Sequence, residues 1–193
     1  PAEARATPHR GASPCRSCGS LPPVSEPPFA DIDAAFAWLS ARTNYETMAT
    51  QRYDERTYGL DRVERLLDAL GRPEHGRLVT QVVGSKGKGS TSAQLAGILT
   101  AGGLRTGRFA SPHLVHPRER ICVDGAPADD ALVCRALDRV RGPAEAAIAA
   151  GAPCTFFELH TAAALLAFAE AGCHALVLEA GMGGGLPATT AGR

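Results

Sequence analysis

Gly84-Ser85-Lys86-Gly87-Lys88-Gly89-Ser90 is a run of small residues and two lysines between an apolar stretch, residues 78–83 (LVTQVV), and a helix-period pattern that follows it. Glycines let backbone N–H groups converge on an anion with no Cβ in the way. A helix starting at such a turn adds orphan donors and the positive end of its dipole. Lys88 brings a mobile charge to outer phosphates, and Ser90 brings a hydroxyl to Mg2+. The chemistry that suits these seven residues is the cradling of the triphosphate of ATP. The common form of such a loop, G-x-x-x-x-G-K-[ST], needs glycine at 82 and Ser or Thr at 89, whereas this chain has Val82 and Gly89. The alternative is a glycine-rich turn with exposed lysines. The strand before it and the helix after it favour a nucleotide site.

Two further residues fit that chemistry. In a parallel sheet covered by helices, ligands collect at the carboxyl ends of strands. Here one apolar run ends at the glycine loop, a second (residues 105–110) ends at Ser111, and a third (residues 174–180, HALVLEA) carries Glu179 before a run of glycines. Magnesium takes hard oxygen ligands, often one or two from protein together with phosphates and waters. Ser90, Ser111 and Glu179 are the candidate set. Glu179 interrupts an otherwise apolar strand, and a charge there needs a partner. For Ser111, spacing alone favours helix or turn capping before Pro112.

The elements that have to position these groups follow from periodicity. Residues 31–42 and 60–70 each place apolar side chains on one helical face, the second closing on Gly71 and Pro73. Residues 43–57 are polar and aromatic and suit a loop. Residues 78–83 suit a strand, 90–101 a helix closed by Gly102-Gly103, and 105–110 a second strand. Residues 111–117 (SPHLVHP) hold two prolines and cannot be regular structure. Residues 120–123 suit a short strand with an Asp124-Gly125 turn, 129–141 and 156–171 suit helices, and 174–180 a buried strand. Strands alternating with helices predict an α/β fold, a three-layer and mostly parallel sheet carrying the phosphate loop.

Composition excludes other classes. The 193 residues are 45% hydrophobic and 21% charged, with formal net charge zero, so no global field points to nucleic acid or a membrane surface. Lysine is nearly absent, which makes Lys86 and Lys88 in one loop stand out. The longest apolar candidate, residues 155–181, is interrupted by Glu158, His160, Glu170 and His174, so no membrane span is expected. No signal peptide is visible, and the default compartment is the cytoplasm. Of the six cysteines, Cys15 and Cys18 form a lone C-x-x-C without the second pair a zinc site needs. Cys122, Cys134, Cys154 and Cys173 lie in apolar runs and suit small buried hydrophobes. Residues 1–28, rich in Pro, Ser, Ala and Gly, suit a disordered tail, and residues 29–193 an incomplete ATP-binding domain.

The ordered set G-S-K-G-K-G-S (84–90), S-P-H-L (111–114), E-R-I (119–121), Y-G-L-D-R-V (58–63), T-F-F-E (155–158) and L-E-A-G-M-G-G (178–184) resembles the folylpolyglutamate synthase and dihydrofolate synthase family of Mur-type ligases. The resemblance implies a three-layer ATPase domain, with the family's C-terminal Rossmann-like domain absent from this chain. It implies ATP-dependent addition of L-glutamate to dihydropteroate or folates through an acyl phosphate, releasing ADP and phosphate. It further implies Lys88 and Glu179 as catalytic groups, and magnesium at Ser90, Ser111 and Glu179. Thr57, Tyr58, Gly59, Ser111, Pro112, His113, Thr155, Phe156, Phe157 and Glu158 would contact the pterin substrate. Glu158 also suits a helix first-turn charge, and His113 and His116 suit loop and substrate contacts. No nucleic-acid or membrane partner is implied, and a monomer is expected. The chain departs from the family pattern at Lys86 (usually Asn), Gly185 (Arg), Pro187 (Asp) and Thr190 (Asn). Because it stops before later family motifs, the fragment alone is expected to be inactive. The competing expectation is a non-catalytic remnant that at most binds nucleotide.

Overall fold

A computed structural model describes residues 28–44 and 60–181. The expected tail, Cys15 and Cys18, Thr57, Tyr58 and Gly59, and the departures at Gly185, Pro187 and Thr190 lie outside the described residues.

Five strands form one mixed sheet in the order β1-β5-β2-β3-β4. β1 (Leu78–Val82) and β2 (Thr106–Phe109) both run parallel to β5 (Ala175–Glu179), which lies between them. β3 (Ile121–Val123) and β4 (Ala126–Pro127) complete the far edge as antiparallel neighbours. The turn joining them has positive φ at Asp124 (50°) and Gly125 (84°), the backbone sign pattern that keeps a two-residue hairpin in step with strand twist. The expected α/β layering is present, and its parallel part is the central trio of strands.

Helices cover both faces unequally. α1 (Ile32–Ser40) is capped by Asp31, whose side chain accepts from the Ala34 N–H, and turns Ile32, Ala35, Phe36 and Leu39 inward. α2 (Leu60–Ala69) contributes Val63, Leu66 and Leu67, and Gly71 follows at φ 76°. With α4 (Asp130–Ala149), these helices surround α5 (Phe156–Glu170), which is apolar on nearly every side because it is sandwiched between helices and sheet. Each large apolar side chain fully buried there contributes about 1.5–3 kcal/mol. On the opposite face, α3 (Lys88–Ala101) is the one helix among the described residues, packing through Ala96, Leu95 and Leu99 onto Val82 and Val177.

Three boundaries differ from the periodic pattern. α3 begins two residues early, at Lys88, because Gly87 takes the left-handed conformation (φ 74°) that turns the chain into the helix. α4 continues through Gly142 and Pro143 to Ala149. Val140 and Ala144 stay buried on its inner face, and that burial outweighs the hydrogen bond lost at proline. Residues Pro117–Arg120 form a 3-10 helix before β3, capped by His116, whose side chain accepts from the Arg118 N–H.

Candidate active site

The carboxyl ends of β1, β5 and β2 lie side by side, so the segments leaving them are brought together. After β1 the chain enters the glycine loop, where Gly84 sits at φ 151° and Gly87 at φ 74°. α3 then starts with no side-chain cap, whereas α1, α4, α5 and the 3-10 helix are each capped by a side chain. Its first-turn amides are therefore left for another acceptor. Its first turn also carries Lys88 and no acidic residue, the reverse of what the helix dipole favours unless an anion is present.

Glu179 ends β5, 3% exposed, facing this turn. Its Oε1 lies 3.9 Å from Lys88 Nζ. Its Oε2 accepts the Ser111 backbone N–H at 3.3 Å. A Cβ placed on Gly89 would stand 3.8 Å from the same Oε2, so the start of α3 runs directly past the carboxylate. Three segments remote in sequence thus meet at one acid. Ser111 is buried at 9% exposure, while Ser90 is exposed on the first turn of α3. Lys86 and Ser85 are exposed on the loop, and Pro112 is exposed after a cis Ser111–Pro112 bond.

The segment after Ser111 is braced by its own side chains. The Glu119 carboxylate accepts the backbone N–H groups of Leu114, Val115 and His116 at 2.9, 3.0 and 2.8 Å. Those bonds, with His113 nearby, hold its pKa below the ordinary carboxylate value. Arg120 Nε donates to His113 Nδ1 at 2.9 Å. Leu114 and Val115 are carried at the tip, 93% and 87% exposed. The E-R-I signature contains both bracing residues, but nothing in its composition distinguished an amide-accepting glutamate from a surface charge.

The T-F-F-E residues divide between the helix start, the core and the chain leaving β5. Thr155 caps α5, and Glu158 completes the capping box, with Oε2 accepting the Thr155 N–H at 2.7 Å and Oε1 pairing with Arg62 at 3.2 Å. Both of its oxygens are thus engaged locally, which matches its helix-start role. Phe156 is 2% exposed and belongs to the core. Phe157 instead lies under the chain leaving β5: a Cβ on Gly181 would come within 2.8 Å of its ring, and Phe109 stacks beside it with ring centroids 5.7 Å apart. Gly181 is the close approach that sequence inspection missed; a glycine two residues after a buried acid is its only trace.

Among the described residues no three His, Cys, Asp or Glu side chains group as a metal centre. A buried carboxylate held by the Ser111 amide and facing an uncapped helix start is the kind of hard-oxygen ligand that a phosphate-bound magnesium ion takes. The free cysteines Cys122, Cys154 and Cys173 are buried. Burial pushes the Cys154 and Cys173 thiols up to about 11, so both are inert hydrophobes.

Together these features define an α/β domain whose polar groups gather where parallel strands end, against an open helix start. No protein-family model matches the chain. It is 41% identical over 133 residues to a probable bifunctional folylpolyglutamate synthase/dihydropteroate synthase of Haloferax volcanii, covering 69% of this chain and 16% of that protein. In structure it is similar to Mycobacterium tuberculosis folylpolyglutamate synthase complexed with ADP, with TM-score 0.68 and 31% identity over 79% of this chain and 32% of that one. A folylpolyglutamate synthase complex with AMPPCP and folate gives TM-score 0.68 and 31% identity over 80% and 36%. The chain belongs to the folylpolyglutamate synthase and dihydrofolate synthase family of Mur-type ligases. It spans between 16% and 36% of the length of these relatives.

Proposed function

We propose that this chain carries the nucleotide- and pterin-binding part of an ATP-dependent ligase that adds L-glutamate to dihydropteroate or to folates. The meeting of Lys88, Glu179 and Ser111 at adjacent strand ends is the observation that carries the reading. The amides of residues 84–90 bind the triphosphate, and Lys88 leaves Glu179 to follow the outer phosphates. Ser90, Ser111 and Glu179 hold magnesium, which when bound neutralises phosphate charge. Phe157 and the braced 111–117 segment border the pterin substrate.

In the proposed reaction a carboxylate oxygen of the substrate attacks the γ-phosphorus and the bond to ADP breaks. The glutamate amine then attacks the acyl carbon, forming the amide, and inorganic phosphate leaves with the bonding electron pair. Covalent work by the protein is small; the residues position reactants and offset charge. Support comes from relatives named as such synthases and from neighbouring structures that hold ADP, AMPPCP and folate. No described helix is long and apolar enough to cross a membrane.

The test is calorimetric titration of AMPPCP with Mg2+ into the chain, followed by dihydropteroate or folate into the loaded chain. Both are expected to bind. In the full polypeptide encoded by the gene, ADP release then requires glutamate and one of the two acceptors. Absence of nucleotide affinity, or of glutamate-dependent ADP release with both acceptors, overturns the proposal.

A further inference from the structure

Lys86 and Lys88 are the only lysines in the chain; the rest of its 20 Lys and Arg residues are arginine. Both stand in the turn between β1 and α3. That turn is folded tightly on itself: a Cβ on Gly84 would meet the Lys86 carbonyl at 3.6 Å and Lys88 Cγ at 3.8 Å. Lys88 is half-buried and lies 3.9 Å from Glu179. Lys86 is exposed and makes no ion pair among the described residues. The helix start beside it has no side-chain cap and no acidic residue in its first turn.

Two like charges and the positive end of a helix dipole repel one another when nothing negative lies between them. Glu179 offsets that repulsion for Lys88; Lys86 has no such partner among the described residues. The residue type is informative as well. Arginine's rigid fork matches a carboxylate, and the chain uses it in the pairs Arg42–Glu145, Arg118–Asp130 and Arg135–Glu170. Lysine is a compact charge with three donors on a flexible stem, which suits the successive oxygens of a phosphate chain. We propose that Lys86 is a second phosphate-binding cation of this turn, taking the outermost phosphate of a nucleoside triphosphate while Lys88 still faces Glu179. The inference rests on the reading of residues 84–90 as a triphosphate cradle. It gives that cradle a side chain that senses the number of phosphates and acts without a divalent cation. A diphosphate ends one group short of it.

The experiment is calorimetric titration of AMPPCP and of ADP, both in EDTA, into the wild type, Lys86→Gln and Lys86→Arg, with circular dichroism to establish that each is folded. At about 0.15 M salt the screening length is about 8 Å, so a large effect requires contact and not a distant field. AMPPCP affinity is expected to fall about tenfold in Lys86→Gln, the size of one charge-assisted hydrogen bond, and ADP affinity less than about twofold. Lys86→Arg keeps the charge and is expected to stay within about threefold of the wild type for AMPPCP. Adding Mg2+ should shrink the Lys86→Gln loss, because the cation neutralises part of the same phosphate charge. Unchanged AMPPCP affinity in Lys86→Gln overturns the proposal. So does an equal loss for ADP and AMPPCP, or a loss as deep in Lys86→Arg as in Lys86→Gln. A wild type that holds metal-free ADP as tightly as AMPPCP overturns it with no variant needed. A wild type that binds neither nucleotide, with or without Mg2+, removes the triphosphate reading itself and this proposal with it.

Discussion

Lys88 Nζ and Glu179 Oε1 lie 3.9 Å apart, the first on the opening turn of α3 and the second on the last residue of β5. The lysine shields a carboxylate that is 3% exposed, so each charge lends the other a partner. On the proposed reading, a nucleotide with magnesium would offer each group a better one: phosphate for the lysine, a divalent cation for the acid.

Glu179→Gln separates these roles. The amide keeps the side-chain volume and an oxygen for the Ser111 N–H but carries no charge for a cation. AMPPCP affinity should rise at least tenfold with Mg2+ in the wild type, about 1.4 kcal/mol, and show little magnesium dependence in the variant. Titrations with and without Mg2+ check this; an unchanged magnesium effect would remove Glu179 from the metal site.

Glu119→Gln should loosen the segment after Ser111. The carboxylate accepts three backbone amides, and a neutral side chain with one oxygen cannot replace it. Hydrogen exchange at Leu114, Val115 and His116 should speed up while α5 amides stay as slow as before. Equal protection in both proteins would show that the segment is held by something else.

Gly107→Ala tests the packing of α5 on the sheet. A Cβ there would come within 2.5 Å of the Phe168 ring, in a fully buried layer. Overpacking of this kind costs about 1–3 kcal/mol, and each kcal/mol lowers Tm by about 2–4 °C in a chain of this size. Thermal unfolding followed by circular dichroism measures it.

His160 makes the fold sensitive to acid. It is fully buried, with both ring nitrogens unpartnered among the described residues and the rings of Phe36, Phe109 and Phe156 around it. Burial first, then the charge of Arg120, push its pKa well below the ordinary 6.5. Below that value the unfolded chain takes up a proton that the native state refuses, so stability falls as pH drops through 6.5, by up to about 1.4 kcal/mol per pH unit. Urea unfolding between pH 7.5 and 5 should show this slope, and His160→Leu should flatten it. Asp68 and Glu119, whose pKa values are lowered, act only at more acid pH.

The order of elements was legible because each carries its own period: the stripe of α2, the uninterrupted apolar β5, the prolines of the 111–117 segment. The meeting of Lys88, Ser111 and Glu179 was legible in part, since clustered glycines suit an anion and a charge in an apolar strand demands a partner. Pairings made through space were not. Arg120 reads as the start of a strand and becomes a buried seat for His113; Phe156 and Phe157 are identical letters, yet one joins the core and the other lies beneath Gly181. The continuation of α4 through Pro143 depends on burial against α5, which no local propensity records.

The decisive measurement for the site is the affinity of the chain for AMPPCP with Mg2+, in the wild type and in Lys88→Ala, with circular dichroism to establish that both are folded. Saturable binding by the wild type is expected, with a loss of at least about tenfold in the variant, the size of a charge-assisted phosphate contact. Equal affinity in the two proteins, or none in the wild type, would contradict a triphosphate held by Lys88.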